Sequence, residues 1–299
     1  MNSPAPWRRS RCLFCFVKRK SHFWIATVGG ILIAGIGCKD SAEAPEPKAV
    51  PLVPPASPVQ ENAADTPEAK FQATLAKAKA GDATAQRMTA DNYAVGRGVA
   101  VDFQEALLWY RKAAAQGEAQ AEYNLGYMYY NGEAVPRDYE LAVAWFTKAA
   151  LKGNAGAQAN LGLMYDNGEG VEENDLEALK WYRKAAAQGE PMALFNVGWM
   201  YDNGEGVKED RAEALGWYIR SANRGHIEAP NFIAIIYDGG HGVAVDKIAA
   251  YAWWSIGKER GDEATVNNLE FLAKELSPEQ LTRAQARITE LKQAMAGSN

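Results

Sequence analysis

The sequence is poor in the residues that build catalytic, metal and disulfide sites. Its 299 residues include three histidines and three cysteines, and all the cysteines, Cys12, Cys15 and Cys38, lie near the N-terminus. The chain after Cys38 therefore has no internal disulfide. Cys12 and Cys15 form a CxxC pair, but metal or redox use needs a folded partner segment, and this pair lies in a basic leader. We interpret the spacing as coincidence.

Basic charge is also scarce outside the leader. Residues 1–37 hold six of the 32 lysines and arginines and no acidic residue, so 26 basic side chains remain against all 37 acidic ones, a net charge of −11 for the rest of the chain. A nucleic-acid-binding protein presents a basic stripe to the phosphates. The charge pattern therefore excludes a nucleic-acid partner.

The remaining polar residues form no recognisable catalytic group. His226 and His241 fall at junctions or loops, Ser221 and Ser255 occupy positions that hold small residues elsewhere, and no Gly-Lys-Ser/Thr phosphate loop occurs. We therefore expect no catalytic residue and no cofactor.

Two acidic loops, 166–170 and 202–206, both read Asp-Asn-Gly-Glu-Gly. They lack the alternating ligand order and the distant bidentate glutamate of a calcium-binding helix-loop-helix. Their fit to the sequence repeat of the chain explains them better, and we expect no metal site.

An apolar run at 23–37 follows the basic leader. It is shorter than the ~20 residues of a membrane-spanning helix and matches the apolar region of an export signal. Ending at Gly37 and Cys38, it resembles a bacterial lipoprotein signal, although Gly35 stands where that family usually has a branched residue. The resemblance implies cleavage before Cys38 and acylation of this cysteine.

The alternative is an uncleaved signal anchor at the inner membrane. Either possibility places the rest of the chain outside the cytoplasm, because the positive flank stays inside. Lys39 follows the cysteine, which by resemblance to Gram-negative lipoproteins implies delivery to the outer membrane. The segment 38–66 holds six of the 13 prolines and cannot bury a core, so we expect a disordered tether there.

The strongest pattern in the chain is a 36-residue period. Tyrosine, glycine, valine and alanine recur at this interval, and so does tryptophan. The tryptophans are Trp109, Trp145, Trp181, Trp217 and Trp253. Such a period is the signature of stacked repeats, which offer an extended surface to another macromolecule.

One unit, 118–153, predicts a helical hairpin. Its first helix ends at Gly132, Asp138 caps the start of the second, and Gly153 ends that one as a left-handed cap. Helical spacing predicts which residues face inward. They are Ala121, Leu125, Met128, Tyr129, Ala142, Trp145, Phe146, Ala149 and Ala150.

Caps and terminal helices are also predicted. Capping boxes are expected at three helix starts, namely Asp102 with Glu105, Asp210 with Glu213, and Ser277 with Gln280. We expect a capping helix within 67–81 before the array and capping helices within 262–299 after it.

Five segments carry a specific resemblance to the Sel1-like repeat family, a relative of the tetratricopeptide repeats. They are LGYMYYNG (125–132), LGLMYDNGEGV (161–171), VGWMYDNGEGV (197–207) and WYRKAAAQG at both 109–117 and 181–189. The resemblance covers 82–261 and implies an all-α, right-handed α-solenoid of helical hairpins with five 36-residue repeats. The first and last units depart from it, with Thr89-Ala90 and Ile233-Ala234 in place of Leu-Gly.

Partner-binding residues are predicted on the first helix of each repeat, at positions that lie off the core face. In solenoids of this kind the first helices line the concave surface, so the aromatic residues there form a groove bordered by two aspartates, and such residues suit partner binding. The predicted residues are Tyr123, Tyr127, Tyr130, Leu163, Asp166, Phe195, Trp199 and Asp202. The alternative is that the aromatic residues pack between adjacent hairpins.

These features predict a non-catalytic scaffold that binds a protein partner in the bacterial cell envelope, held there by a lipid anchor. The family resemblance leaves that partner unidentified. Two alternatives stay open: a binder of cell-wall glycan, and a hydrolase of peptidoglycan or β-lactams.

Overall fold

The computed structural model describes residues 66–297, which form thirteen α-helices and no strand. The helices are α1 (Pro67–Lys79), α2 (Ala83–Val95), α3 (Phe103–Ala115), α4 (Ala119–Asn131), α5 (Tyr139–Leu151), α6 (Ala155–Asn167), α7 (Asp175–Ala187), α8 (Pro191–Asn203), α9 (Arg211–Asn223), α10 (Ala229–Gly239), α11 (Lys247–Glu259), α12 (Ala264–Glu275) and α13 (Pro278–Ala296). The predicted signal peptide, Cys38 and the tether up to residue 65 lie outside the described residues.

Each repeat pairs two helices, called A and B here. The A helices are α2, α4, α6, α8 and α10, and the B helices are α3, α5, α7, α9 and α11. Each A helix packs against the B helix that follows it, and each B helix packs against the next A helix. The predicted α-solenoid of consecutive helical hairpins is therefore confirmed.

The predicted turn residues act as expected. Gly132 ends α4 in the left-handed region with a φ of 77°, and its N–H donates to the Met128 carbonyl at 2.9 Å. Gly153 follows α5 with a φ of 90°. The Asp138 carboxylate caps α5 by accepting the N–H of Leu141 at 2.9 Å.

At Asp102 and at Asp210, only one of the two hydrogen bonds of the predicted capping box forms. The Asp102 carboxylate accepts the N–H of Glu105 at 3.0 Å, but the Asp102 N–H donates to the Tyr93 carbonyl, also at 3.0 Å. In a complete box this N–H donates to the glutamate side chain. Here it is already hydrogen-bonded to the Tyr93 carbonyl. The same arrangement recurs at Asp210 with Glu213, so the prediction of complete boxes is wrong at both sites.

Small residues set the distance between the helices of a hairpin. Gly126 of α4 lies so close to α5 that a β-carbon on it would come within 2.6 Å of the Phe146 ring. The same contact recurs between Gly162 and Tyr182 in the next repeat. Of the residues predicted to face inward, only Tyr129 and Trp145 are half-buried and the rest are buried. The Leu-Gly pair of the repeat thus provides space for an aromatic ring.

The periodic tryptophans lie on the B helices. Three of them, Trp109, Trp181 and Trp253, are buried, whereas the other two are half-buried. In the first four repeats a basic side chain one turn later lies 3.8 to 4.3 Å from the ring centroid, a cation–π arrangement. The four cations are Lys112, Lys148, Lys184 and Arg220. These rings stabilise the hairpins themselves.

The repeat register continues one helix beyond the five hairpins at each end. Helix α1 occupies the place of a preceding B helix, and α12 occupies the place of a sixth A helix. Before α12 the N–H of Asp262 donates to the Gly257 carbonyl at 3.0 Å, as Glu118 donates to Ala113 at 3.2 Å before α4. The buried Thr265 then fills the space that Gly257 leaves open.

The last helix, α13, covers the final hairpin. It begins with the predicted complete capping box of Ser277 and Gln280, and it packs against α11. Its Ile288 and Met295 side chains are buried there. None of the thirteen described helices combines the length and the hydropathy needed to cross a bilayer.

Candidate functional site

The eight predicted partner-binding residues lie on three neighbouring A helices, α4, α6 and α8. They separate into three groups by position in the repeat. The first group packs between repeats, the second lies at the C-terminal ends of the A helices, and the third is exposed or half-buried.

Tyr123 belongs to the packing group. Its ring centroid lies 5.8 Å from that of Phe146, and its hydroxyl accepts a hydrogen bond from Asn160 Nδ2 at 3.4 Å, across to the next A helix. Tyr123 also lies against Gly156, where a β-carbon would be 3.1 Å from the ring. Burial raises the pKa of the Tyr123 hydroxyl. The side chain therefore fills the space between two repeats.

Phe195 holds the same position on α8 and is only 9% exposed. Its ring stacks on His226 at 4.5 Å with an interplanar angle of 8°, and it meets Phe232 edge-on at 5.1 Å. Tyr218 lies 5.3 Å away. For Tyr123 and Phe195 the structure thus favours the alternative role, packing between hairpins.

Tyr130, Asp166 and Asp202 share a position near the C-terminal end of their helices. The Tyr130 hydroxyl donates to Glu169 Oε2 of the next repeat at 3.0 Å. Asp202 pairs with Arg211 at 3.1 Å, and burial still raises its pKa, which Arg211 opposes.

Asp166 differs from Asp202 in its surroundings. Burial, with added repulsion from Glu205 and Asp175, raises the pKa of Asp166 to about 6. The Tyr182 hydroxyl donates to its carboxylate at 3.4 Å. Where repeat four has the cation Arg211, this repeat has Asp175. Asp166 therefore lies in an acidic environment.

The third group is accessible in part. Tyr127 is 46% exposed, and Leu163 and Trp199 are half-buried at the same position on α6 and α8. Trp199 meets Phe232 edge-on at 5.7 Å, which leaves part of the indole accessible. Tyr127 is the most accessible of the three, and Leu163 also packs against the buried side chains of α6 to α8.

The exposed series continues on two more helices. Ile235 on α10 is 40% exposed and Phe271 on α12 is 67% exposed, each 36 residues after the preceding member. The five side chains, one on each of five consecutive helices in A register, are here called the A-face stripe: Tyr127, Leu163, Trp199, Ile235 and Phe271. Sequence reasoning missed the last two, although the unbroken interval from Trp199 could have shown them.

Amide side chains accompany the stripe, one turn earlier on the same helices. Asn124, Asn160, Asn196 and Asn268 are half-buried, and Phe232 takes this position on α10. The Asn124 amide donates to Asp91 at 3.2 Å. Within residues 66–297, no hydrogen bond joins the side chain of Asn196 or Asn268 to another residue.

Both serines considered in the sequence donate hydrogen bonds to backbone carbonyls. Ser221 is buried and donates to the Pro191 carbonyl at 2.8 Å, and Ser255 donates to the Tyr251 carbonyl of its own helix at 2.8 Å. No cluster of three potential metal ligands occurs among residues 66–297. Two clefts there, of about 260 and 330 Å³, are open and bordered by arginines.

Comparison with known proteins identifies the repeat. The family model described as Sel1 repeat matches five consecutive segments, 83–118, 119–154, 155–190, 191–226 and 228–262. No curated protein sequence matches the chain.

Two solved structures resemble it closely. A protective antigen of uropathogenic Escherichia coli, with an SLR fold, is 39% identical with a TM-score of 0.64; the match covers 67% of this chain but only 43% of the antigen. A Sel1 repeat protein from Oxalobacter formigenes is 32% identical with a TM-score of 0.62, and the match covers 74% of this chain and 88% of that one. The chain therefore belongs to the Sel1 repeat family, whose repeats mediate protein–protein interaction and are generally non-catalytic.

Proposed function

We propose that this protein is a scaffold in the bacterial cell envelope that binds a protein partner through the A-face stripe. The single observation that carries this proposal is the A-face stripe, in which Tyr127, Ile235 and Phe271 are exposed and Leu163 and Trp199 are half-buried. Exposed apolar side chains in such a continuous row are typical of interaction surfaces. Their supporting helices are fixed by the packing of Tyr123 and Phe195, so the surface is pre-organised.

The envelope location is supported by the leader. The basic stretch, the apolar run and Cys38 fit an exported lipoprotein, with Lys39 favouring the outer membrane. Several acyl chains hold a protein stably at a membrane, whereas one chain binds only marginally.

The anchor is tested by the variant Cys38→Ala. In a lipoprotein the N-terminal peptide should begin at Cys38 and carry the mass of a lipid, and in the variant this lipid mass should be absent. An uncleaved signal anchor should stay in the inner membrane whether or not Cys38 is present. Membrane fractionation with mass spectrometry of the N-terminal peptide distinguishes the two.

The scaffold is tested by capture of its partner in the native cell. Chemical crosslinking of the full chain should yield a defined protein partner, and Tyr127→Ala with Trp199→Ala should abolish the capture. Circular dichroism should show that the double variant keeps its helices, since Tyr127 is exposed and Trp199 is half-buried. Capture of peptidoglycan in place of a protein would instead support a glycan binder.

A further inference from the structure

We propose that the exposed side of the B helices docks on a membrane surface that contains anionic phospholipids, with one lipid phosphate held in a cleft beside the C-terminal ends of α7 and α9. This inference goes beyond the proposed binding of a protein partner, which uses the A helices. It rests on five exposed cations, here called the B-face row: Lys112, Lys148, Lys184, Arg220 and Arg224.

Positive charge in the array is concentrated on the B helices. The last turn of each B helix carries a lysine or arginine, whereas none of the A helices, all of which lie within residues 66–297, has one there. The segments 108–117, 144–153, 180–189 and 216–225 contain nine basic residues and no acidic one. A helix dipole favours a cation at every helix C-terminus, so it does not explain this difference. The B helices therefore present a positive side, although the array as a whole is acidic.

The charge of the row is not neutralised within the described chain. Its first four members each lie over a tryptophan ring of their own helix, and no ion pair joins them to an acidic residue of 66–297. The acidic side chains of two turns that follow B helices, Glu118 and Glu190, cap the next A helices by accepting their backbone N–H groups. The row is therefore available to an external anion.

Arg224 is unpaired because the repeat changes at one position. In the first three repeats the A helix supplies a polar partner to the C-cap residue of its B helix. The pairs are Gln86–Gln116 at 2.8 Å, Glu122–Lys152 at 2.7 Å and Gln158–Gln188 at 2.8 Å. In the fourth repeat Leu194 takes the place of the polar partner. No hydrogen bond or ion pair joins the Arg224 side chain to another residue of 66–297.

The unpaired Arg224 borders the cleft of about 260 Å³, and so does Arg220. The Arg224 guanidinium group lies against Gly189, where a β-carbon would come within 3.2 Å of Cζ. Guanidinium groups present a planar set of N–H donors that matches the oxygens of a phosphate. The cleft therefore suits the phosphate of one lipid headgroup.

The surroundings of the row fit a lipid surface better than a soluble polyanion. Leu108 precedes Lys112 by one turn and is 46% exposed, and Leu151 follows Lys148 by one turn and is 72% exposed. Exposed leucine beside lysine is typical of helices that lie in the membrane interface. A flat membrane also meets only one side of the array, and acidic side chains more than about 10 Å away are largely screened from it.

The leader places such a surface within reach. The chain between Cys38 and Pro67 can span at most roughly 90 Å, so it allows an array that is held at the membrane to lie on it. Each lysine or arginine near an anionic leaflet strengthens binding by about fivefold. Docking through the B helices leaves the A-face stripe accessible to a protein partner.

The test measures lysine acetylation in the full chain reconstituted into vesicles, with mass spectrometry of each labelled peptide. The vesicles consist of phosphatidylcholine, either alone or with about one quarter phosphatidylglycerol. We expect Lys112, Lys148 and Lys184 to be acetylated at least about fivefold more slowly on the anionic vesicles. Lys208 and Lys274, which are exposed outside the row, should react equally on both. About 0.5 M NaCl should remove the difference.

Variants locate the cleft that holds the phosphate. Arg220→Gln with Arg224→Gln should lower the protection of Lys184 on anionic vesicles by at least about fivefold. Arg283→Gln with Arg287→Gln is the matched control, since these arginines border the cleft of about 330 Å³, which also contains carboxylates. The control should leave the protection unchanged. Circular dichroism should show that both double variants keep their helices.

Three outcomes overturn the inference: equal acetylation of the row on neutral and anionic vesicles, equal protection of Lys208 and Lys274, or protection that loss of both arginines leaves unchanged. A DNA duplex that protects the row more strongly than phosphatidylglycerol does would replace the lipid with a nucleic acid. The measurement needs no protein partner, so its failure would leave the scaffold function standing. Failure to capture a protein in cells would likewise leave the lipid contact standing.

Discussion

Ala134 stands in a backbone conformation that other repeats give to glycine. Its φ is 60°, and the equivalent positions hold Gly98, Gly170, Gly206 and Gly242 with φ between 63° and 77°. A left-handed conformation costs a residue with a β-carbon about 1–2 kcal/mol, whereas glycine loses about 0.4–1 kcal/mol more backbone entropy on folding. The strain exceeds the entropy cost, so this position should favour glycine.

We therefore expect Ala134→Gly to raise the free energy of unfolding by about 0.5–1 kcal/mol in urea titrations. The reverse change, Gly170→Ala, should lower it by more, because the new β-carbon would come within 2.4 Å of the Tyr139 backbone. A neutral or destabilising Ala134→Gly would show that the turn is not strained.

Asp166 makes stability depend on pH. Its pKa is raised to about 6, above its ordinary value of 3.8, first by burial and then by Glu205 and Asp175. The contribution of protonated Asp166 to the free energy of unfolding is fully present below pH 3.8, and it is lost as the pH rises through about 6.

Asp166→Asn should therefore raise the free energy of unfolding at pH 7.5 by about 1–2 kcal/mol, and the gain should vanish near pH 4. Asp202→Asn is the matched control, and it should gain less because it deprives Arg211 of its ion-pair partner. Equal gains in both variants, or a gain that does not depend on pH, would contradict this account of Asp166.

The sequence could not assign roles within the aromatic set. Tyr123 and Tyr127 are one turn apart on the same helix, and both lie off the core face in a helical projection. Only the position of the next hairpin decides that Tyr123 is covered and Tyr127 is exposed. That position depends on how neighbouring repeats pack, which a single unit does not contain.

At the scale of the element, two helical glycines differ in the space around them. Gly162 on α6 lies against the Tyr182 ring, where a β-carbon would come within 2.6 Å, whereas Gly216 on α9 has nothing within 4 Å. Overpacking costs about 1–3 kcal/mol, and replacing a free helical glycine with alanine gains about 0.5–1 kcal/mol.

Thermal unfolding of Gly162→Ala and Gly216→Ala should therefore shift in opposite directions, down for the first and up for the second. Both substitutions replace glycine with alanine inside a helix and so gain the same helix propensity. The difference between their transition temperatures therefore reports the contact of residue 162 with Tyr182. A rise in both transition temperatures would show that α6 and α7 have room to separate.

Most elements could be predicted from the sequence, because caps and helical spacing act within one unit. Gly132, Asp138 and Gly153 all lie where the pattern indicates. The capping boxes at Asp102 and Asp210 could not be predicted, because the Tyr93 and Tyr201 carbonyls that replace the glutamates come from the preceding helix.

At the scale of the whole molecule, each repeat contacts only its neighbours, so stability should be local. Deleting residues 278–299 removes the helix that covers α11, where Ile288 and Met295 are buried. We expect backbone amides of α10 to α12 to exchange hydrogen faster in this variant, while those of α3 to α7 keep the rates of the full chain. A uniform increase along the array would show that the repeats unfold as one unit.

The repeat register explains why the interaction surface is longer than the sequence indicated. The family pattern ends at residue 262, yet α12 keeps the position of an A helix and carries Phe271. Thr265 stands where the earlier A helices have alanine, and Gly257 lies opposite it. A pattern based on residue types therefore does not detect that the repeat continues into α12.

The central claim, that the A-face stripe binds a protein partner, is tested most directly by a photo-crosslinking amino acid placed at single positions in the native cell. Placed at 199 or 271, it should link the chain to one and the same protein. At 151 or 176, which are exposed positions on B helices, it should give no such product. Crosslinks at the B-helix positions alone, or none at the stripe, would contradict the account.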